Sequence, residues 1–147
     1  MIRVAGTAKT IEANGAAVLN NNVGQADDAS YSVATDGAGY AHAEISISGA
    51  FSVAPTEHST FDLWARPLTV DGISGHDSEA PENGTAFKGH WYLGAVFLNN
   101  VTSTQYLLLR SLDIPPNFSV YFLNLSGQTL SAGWTMKVTP IAYKAAP

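Results

Sequence analysis

Apolar and polar residues alternate with a period of two along much of the chain. Ile45 and Ile47 fall on one side of residues 40–48, and Phe61 and Leu63 fall on one side of the next such segment. A period of two places successive side chains on opposite faces of an extended strand, so each segment predicts a strand with one buried face. The 3.6-residue period of an amphipathic helix is almost absent. The pattern therefore predicts an all-β protein.

The alternating and apolar segments predict nine strands, at residues 2–11, 16–19, 30–33, 40–48, 59–68, 90–98, 105–112, 117–125 and 134–143. Turn pairs between strands tolerate positive φ angles: Asn14-Gly15, Asp36-Gly37, Asp71-Gly72 and Asn83-Gly84. Links this short join antiparallel neighbours, because parallel pairs need long crossovers. We therefore expect one domain over residues 1–147, an antiparallel jelly roll or β-sandwich of about eight strands. Residues 1–21 are a possible N-terminal arm or edge strand.

Two segments are apolar on both faces. Residues 104–112 contain good helix formers and allow a short helix, although a strand buried on both faces is our prediction. Residues 117–124 alternate with Phe118, Val120 and Phe122 on one face and Tyr121 and Leu123 on the other. The first face is expected to point inward, and the second is buried as well only if something covers that side of the sheet.

The composition changes the picture of the surface. Charged residues make up 13% of the chain, against about 25% in ordinary soluble domains. Hydroxyl and amide groups must supply the remaining polar surface, and these cost less to bury than charges when they find partners. Such a surface suits a protein that is covered by neighbouring subunits, and it equally suits a β domain rich in turns. With no cysteine, a disulfide is excluded.

The charge distribution excludes several partners. The net charge is −5, and the seven Lys and Arg residues are scattered along the chain. Nucleic-acid binding needs clustered cations that release counterions from phosphates, and a membrane-surface patch needs a similar cluster. No stretch has the length of a signal peptide's apolar region or of a membrane span. We therefore expect no nucleic acid and no membrane as partner, and synthesis in the cytoplasm.

The sequence has no recognisable catalytic constellation. A serine hydrolase would need Ser or Thr activated by His42, His58, His76 or His90, but the nucleophile-elbow motif is absent. A glycosidase would need two carboxylates across a cleft, and the strand-borne acids Glu44 and Asp62 both fall on expected solvent faces. We therefore predict that the protein is not an enzyme and binds no cofactor.

The segment 71–85 is the longest stretch without a strand pattern. It carries the densest set of potential metal ligands, namely Asp71, His76, Asp77, Glu79 and Glu82. Flexible acidic loops can hold Ca²⁺ through six to eight oxygen ligands, but the spacing is not that of an EF-hand. A solvated acidic loop is our prediction for this segment, and we assign no metal site.

Aromatic and N-terminal apolar residues are the candidates for binding other molecules. Large aromatic side chains pack in cores, anchor protein interfaces or stack on sugars, and the sequence leaves these three roles open. The N-terminal segment could add a strand to a partner's sheet edge or form an outer strand of its own sheet. The candidate interface residues are Ile2, Val4, Trp64, Trp91, Tyr92 and Trp134.

Two segments carry a resemblance to a known group of proteins. In residues 49–67, a strand ends in the small-residue turn Ala54-Pro55 and leads into an alternating strand and a proline. Residues 114–140 contain a double proline, a Phe-x-Val strand, an Asn, then Gly-Gln, Leu-Ser-Ala-Gly and a final alternating strand before Pro140. This arrangement, over roughly residues 43–143, resembles jelly-roll virion proteins of tailed bacteriophages, of the capsid decoration (cement) type. The long 71–85 segment departs from that pattern.

The resemblance implies a structural role. Proteins of this type bind the outer surface of an icosahedral head and brace neighbouring major capsid subunits. It implies the major capsid protein and further copies of this chain, as homotrimer or homodimer, as partners, and the virion as location. Related jelly rolls also serve as structural or carbohydrate-binding modules of phage tails and fibres, which is the alternative expectation.

Overall fold

The computed structural model describes residues 1–83 and 90–145, apart from the side chains of residues 111 and 112. The described residues form ten strands and one short 3₁₀ turn at Ser74–His76. The strands are β1 (Ile2–Ala5), β2 (Lys9–Gly15), β3 (Val23–Gln25), β4 (Tyr31–Ser32), β5 (His42–Gly49), β6 (Thr60–Pro67), β7 (Trp91–Phe97), β8 (Gln105–Asp113), β9 (Asn117–Leu125) and β10 (Trp134–Lys144). The predicted all-β class is confirmed.

The strands form two antiparallel five-stranded sheets. In the first, which we call sheet A, the order is β1–β10–β5–β8, and β2 lies beside β10 on the edge that it shares with β1. In the second, sheet C, the order is β3–β9–β6–β7, and β4 continues the edge that β3 begins along β9. β1 and β2 both pair with β10, and β3 and β4 both pair with β9, so each of these two pairs can be counted as one strand. Of the resulting eight strands, the first pairs with the eighth, the second with the seventh, the third with the sixth and the fourth with the fifth. That pairing is a long hairpin rolled into two sheets, which is the jelly-roll topology.

Most predicted strands are present, and the differences lie near the N-terminus. Residues 16–19, predicted as a strand, contribute only an isolated bridge between Val18 and Leu130, and β3 was not predicted. The predicted turn Asn14-Gly15 is wrong, because both residues end β2. The predicted strand 2–11 is interrupted after β1, beside Pro140 of β10. A proline has no N–H to donate to the ladder, so the pairing weakens there.

The core fills the space between the two sheets. Its centre is a row of rings that crosses from one sheet to the other: Trp134 packs edge-on against Phe122 at 5.1 Å, and Phe122 lies 4.6 Å from Phe61. Phe51 extends the row, 6.0 Å from Phe61. Aliphatic residues of β5, including Ile45 and Ile47, complete the layer. Inward residues alternate with outward ones along each strand, as the sequence pattern predicts.

The outer faces of the two sheets differ in chemistry. On sheet A, the outward residues of the central strands are polar, including Ser46, Ser48, Thr135 and Lys137. On sheet C, the outward side also carries large aromatic and aliphatic residues, with Thr60, Asp62 and Arg66 among them. Antiparallel sheets usually keep one solvated, polar face, so sheet C departs from that expectation and is the natural place to look for a binding surface.

Candidate interaction surfaces

The outward side of sheet C, which we call the aromatic face, is made by alternate residues of three strands. Trp64 of β6 lies between Tyr92 of β7 and Tyr121 of β9, and Thr60 lies between Phe97 and Leu125 at the other end. The faces follow from the strand period, because the intervening residues Phe61, Leu63, Val120 and Phe122 point into the core.

One end of the aromatic face is covered by the segment that links β6 to β7. Arg66 donates from its Nε to the carbonyl of Ser78 at 2.7 Å, and the backbone N–H of Thr69 donates to Asp77 Oδ1 at 2.7 Å. Beneath this segment Tyr121 has no exposed surface. The described part of the predicted acidic loop is therefore folded back against its own sheet.

A histidine links this cover to the sheet. Nε2 of His90 lies 2.9 Å from the backbone carbonyl of Glu79, which can only accept, so this nitrogen carries a proton. In the neutral ring Nδ1 is then the acceptor, and the hydroxyl of Tyr121 donates to it at 2.5 Å. Burial raises the pKa of Tyr121 well above its ordinary value, so its hydroxyl stays protonated as this hydrogen bond requires.

The other end of the aromatic face is open. Phe97 is 67% exposed, and Leu125 is exposed on the far side of Thr60. Asp62 lies between these residues and the Trp64–Tyr92 pair and accepts from Thr60 Oγ1 at 3.1 Å. The pKa of Tyr92 is raised, first by burial and then by the charge of Asp62. Large apolar side chains exposed on either side of Thr60, with polar groups beside them, are features of an interaction site.

Three of the candidate interface residues meet on sheet C. Trp64 is half-buried and its ring lies 4.9 Å from that of Tyr92. Tyr92 is 54% exposed and Trp91 is 44% exposed. As consecutive strand residues, Trp91 and Tyr92 point to opposite sides of β7, so Trp91 lies beside the aromatic face rather than on it.

The other three candidates lie elsewhere. Ile2 is exposed and Val4 is half-buried on β1, which pairs with β10 at the edge of sheet A. Trp134 as an interface residue is wrong, since it is 1% exposed and its indole N–H donates to the carbonyl of Ala16 at 2.7 Å. The predicted alternation of residues 134–139 is present in β10, but the sequence does not show which side of that strand faces the core.

Sequence reasoning missed several exposed apolar residues. Phe97 and Leu125 were assigned to strands without being recognised as surface residues, and Tyr106 of β8 is 82% exposed on sheet A. The available signal was the apolar character of residues 117–124 on both faces, which indicates that sheet C presents apolar residues outward.

The acids and histidines considered for catalysis are dispersed. Glu44 lies on the outer side of sheet A, where it pairs with Arg3, and Asp62 lies on the outer side of sheet C. The two carboxylates therefore sit on opposite sides of the sandwich and cannot face each other across one cleft. His42 pairs with Asp113 at 2.8 Å, far from the His90–Tyr121 pair on the other sheet.

The acidic ligand set predicted in the 71–85 segment does not assemble in the described part of the chain. Asp71 holds His76 at 2.7 Å, while Asp77 is bound to the backbone; residues 84 and 85 lie outside the described residues. Within residues 1–83 and 90–145, three carboxylates close enough to share a cation occur in one group, Glu12, Asp27 and Asp28.

The Glu12 group has a structural role that its hydrogen bonds define. Glu12 is buried and accepts from the backbone N–H of Asn14 at 3.0 Å and of Asp27 at 3.2 Å. Asp28 accepts from the N–H of Ala13 at 2.7 Å. These bonds fasten residues 27–28 along the outer edge of β2, which blunts that edge against further strand pairing. No local sequence pattern indicates the cluster, because its members meet only when the loop that contains Asp27 and Asp28 folds onto β2.

No family model, no curated protein and no solved structure matches this chain. Among the described residues, no helix has the length and apolar character needed to cross a bilayer. The fold and its surfaces are therefore the basis for any functional assignment.

Proposed function

We propose that this protein is a structural virion protein, a decoration or cement protein that binds the outer surface of an icosahedral phage head and braces neighbouring major capsid subunits. The observation that carries the proposal is the open end of the aromatic face, where Phe97 and Leu125 are exposed on an outward sheet surface. A face of this type is stabilised when a partner removes it from water.

Two further features support a binding role rather than catalysis. The jelly roll is frequent in capsid proteins, although a fold alone does not establish function. The surface carries few charges, so large areas can be covered by neighbours without burying unpaired ions. The assigned occupant of the aromatic face is the major capsid protein, and further copies of this chain complete the assembly.

The proposal is tested first on particles. Virions that encode the chain are purified and their proteins are quantified by mass spectrometry. The chain is expected in amounts comparable to the major capsid protein, because a cement protein occupies repeated sites on the head. Its absence from particles, or its presence in only a handful of copies, would contradict the decoration role.

A binding experiment then tests the face. Particles that lack the protein are incubated with the purified wild type and with Phe97→Asp, which places a charge in the surface to be buried. The substitution is expected to weaken binding about tenfold or more. Val70→Asp is the matched control, since Val70 is exposed in the loop outside the aromatic face. Equal binding by wild type and Phe97→Asp would reject this face as the capsid contact.

The second candidate is a carbohydrate-binding or structural module of a phage tail or fibre. The exposure of Trp91 and of Tyr92, on opposite sides of β7, favours it, since each exposed aromatic ring provides flat apolar surface for a sugar. Binding on a glycan array that disappears in Trp91→Ala would support this candidate over the first. The absence of binding to any glycan on a broad array would contradict the carbohydrate-binding candidate.

A further inference from the structure

The outer side of sheet A holds a groove of about 550 Å³ that differs from the aromatic face. Two cross-strand rows form its floor. In one, Ser48 lies between Tyr106 and Thr135; in the next, Ser46 lies between Leu108 and Lys137. Arg110 follows along β8 and completes the wall. The groove therefore combines two cations, three hydroxyl groups and one exposed tyrosine ring.

The two cations of this groove have no ion-pair partner among the residues that the structure describes. Elsewhere, Arg3 and Lys9 pair with carboxylates, and Arg66 donates to a backbone carbonyl. Arg110 and Lys137 make no ion pair in the part of the chain that the structure describes. In a chain with seven cations and a net charge of −5, the placement of two unpaired cations in one groove favours an anionic ligand.

We propose that this groove binds an acidic oligosaccharide, with a uronate carboxylate held between Arg110 and Lys137. Guanidinium and ammonium groups donate charge-assisted hydrogen bonds to a carboxylate. Ser46, Ser48 and Thr135 can donate to and accept from sugar hydroxyls. The ring of Tyr106 offers an apolar surface against which a pyranose ring lies.

The groove chemistry favours a sugar over an acidic polypeptide. Ser46 lies on β5 between the strands that carry the two cations, and Ser48 and Thr135 form the next row of the groove floor. These hydroxyl groups match the hydroxyl-rich edge of a sugar. The nearest carboxylate on this face, Glu44, is already paired with Arg3, so it does not repel an incoming anion strongly. This inference is independent of capsid binding, which is assigned to the opposite face of the sandwich.

The test titrates the full chain with tetragalacturonate, monitored by calorimetry and by NMR. Tetragalacturonate is expected to bind, and its methyl ester, which lacks the carboxylates, is expected to bind much more weakly. Arg110→Gln and Lys137→Gln should each weaken binding about fivefold, the effect of losing roughly 1 kcal/mol from an exposed charge contact. Tyr106→Ser should weaken it as well. All three residues are exposed, so circular dichroism should confirm an unchanged fold.

Matched controls define the contrary results. Lys144→Gln removes the same charge from β10 outside the groove, and it should leave the affinity for tetragalacturonate unchanged. No binding of tetragalacturonate, or an equal loss in Lys144→Gln, would overturn the proposal. Tighter binding of hexaglutamate would assign the groove to an acidic polypeptide, and full competition by inorganic phosphate would reduce it to a general anion site.

Discussion

At the scale of single residues, Trp134 contributes most to the centre of the sandwich. Its ring contacts Phe122 across the core, and its N–H is satisfied by the Ala16 carbonyl. β2 approaches this ring so closely that a Cβ added at Gly15 would lie 2.0 Å from it. Glycine is therefore needed at position 15 so that the backbone of β2 can pack directly against the Trp134 ring. Gly15 has this packing role in a strand, and the Asn14-Gly15 pair does not form a turn.

Truncation of this ring should be strongly destabilising. We expect Trp134→Ala to lower the free energy of unfolding by about 3–5 kcal/mol, because it leaves a cavity and removes the donor to the Ala16 carbonyl. The measurement is urea denaturation followed by circular dichroism. Trp91→Ala, at a 44% exposed ring, should cost about 1 kcal/mol or less. Similar losses in both variants would contradict the assignment of Trp134 to the core.

Glu12 gives the stability a defined pH dependence. Burial, followed in part by the charge of Asp28, raises the pKa of Glu12 above its ordinary value of 4.5. The folded state therefore favours the protonated carboxyl, and this contribution to stability is full below the unfolded-state pKa and is lost as pH rises through the folded-state pKa.

The prediction compares Glu12→Gln with the wild type. As pH rises from about 4.5 towards neutrality, the wild type should lose stability relative to Glu12→Gln, whose amide does not titrate. Urea unfolding at a series of pH values measures the difference. Glu57→Gln, which alters an exposed carboxylate, should follow the wild-type curve. A constant difference between wild type and Glu12→Gln across this range would show that Glu12 is not perturbed.

At the scale of elements, the edge strand β7 is bent by a bulge. The register with β6 shifts between Leu63 and Trp64, so an additional β7 residue is accommodated around Gly94. Gly94 has a φ of 138°, and an added Cβ would lie 3.1 Å from Leu109 of β8. The bulge therefore bends β7 towards the neighbouring edge strand of the other sheet.

Gly94 should not tolerate a side chain. We expect Gly94→Ala to lower the free energy of unfolding by about 1–3 kcal/mol, the usual cost of a strained backbone conformation. Gly75→Ala is the control, because an added Cβ there meets nothing within 4 Å and its φ is not in the left-handed region. Thermal unfolding of both variants measures the effect. An unchanged Gly94→Ala would argue against the bulge.

The elements were largely predictable where alternation and burial agree. β5 and β6 alternate cleanly because one face of each is buried throughout. β3 was missed because it has three residues and pairs only with β9, so no local periodicity marks it. Residues 16–19 look like a strand by composition, but the backbone there pairs at a single bridge.

At the scale of the whole molecule, the jelly-roll topology determines which residues lie on the outer face of each sheet. It places the aromatic face and the groove on sheet A on opposite sides of one sandwich, so the two proposed ligands would not compete for the same surface. It also leaves β7 and β8 as edge strands of the two sheets.

The proposed assembly predicts self-association. Sedimentation equilibrium of the purified chain should give a mass two or three times 15.5 kDa, because cement proteins of the proposed kind act as symmetric oligomers and a repeated interface stabilises each copy. A monomer that persists at high protein concentration would contradict the self-partner, while leaving the sugar groove on sheet A unaffected.

The sequence by itself determined the class of fold, because the strand period of two and the positions of turn residues are local properties. It also indicated that residues 117–124 could be covered on both faces. The tertiary structure alone decided that Trp134 points into the core, that Glu12 meets two aspartates, and that Arg110 and Lys137 share a groove. Each of these depends on strand register between distant segments, and register is set by the packing of both sheets together rather than by any one segment.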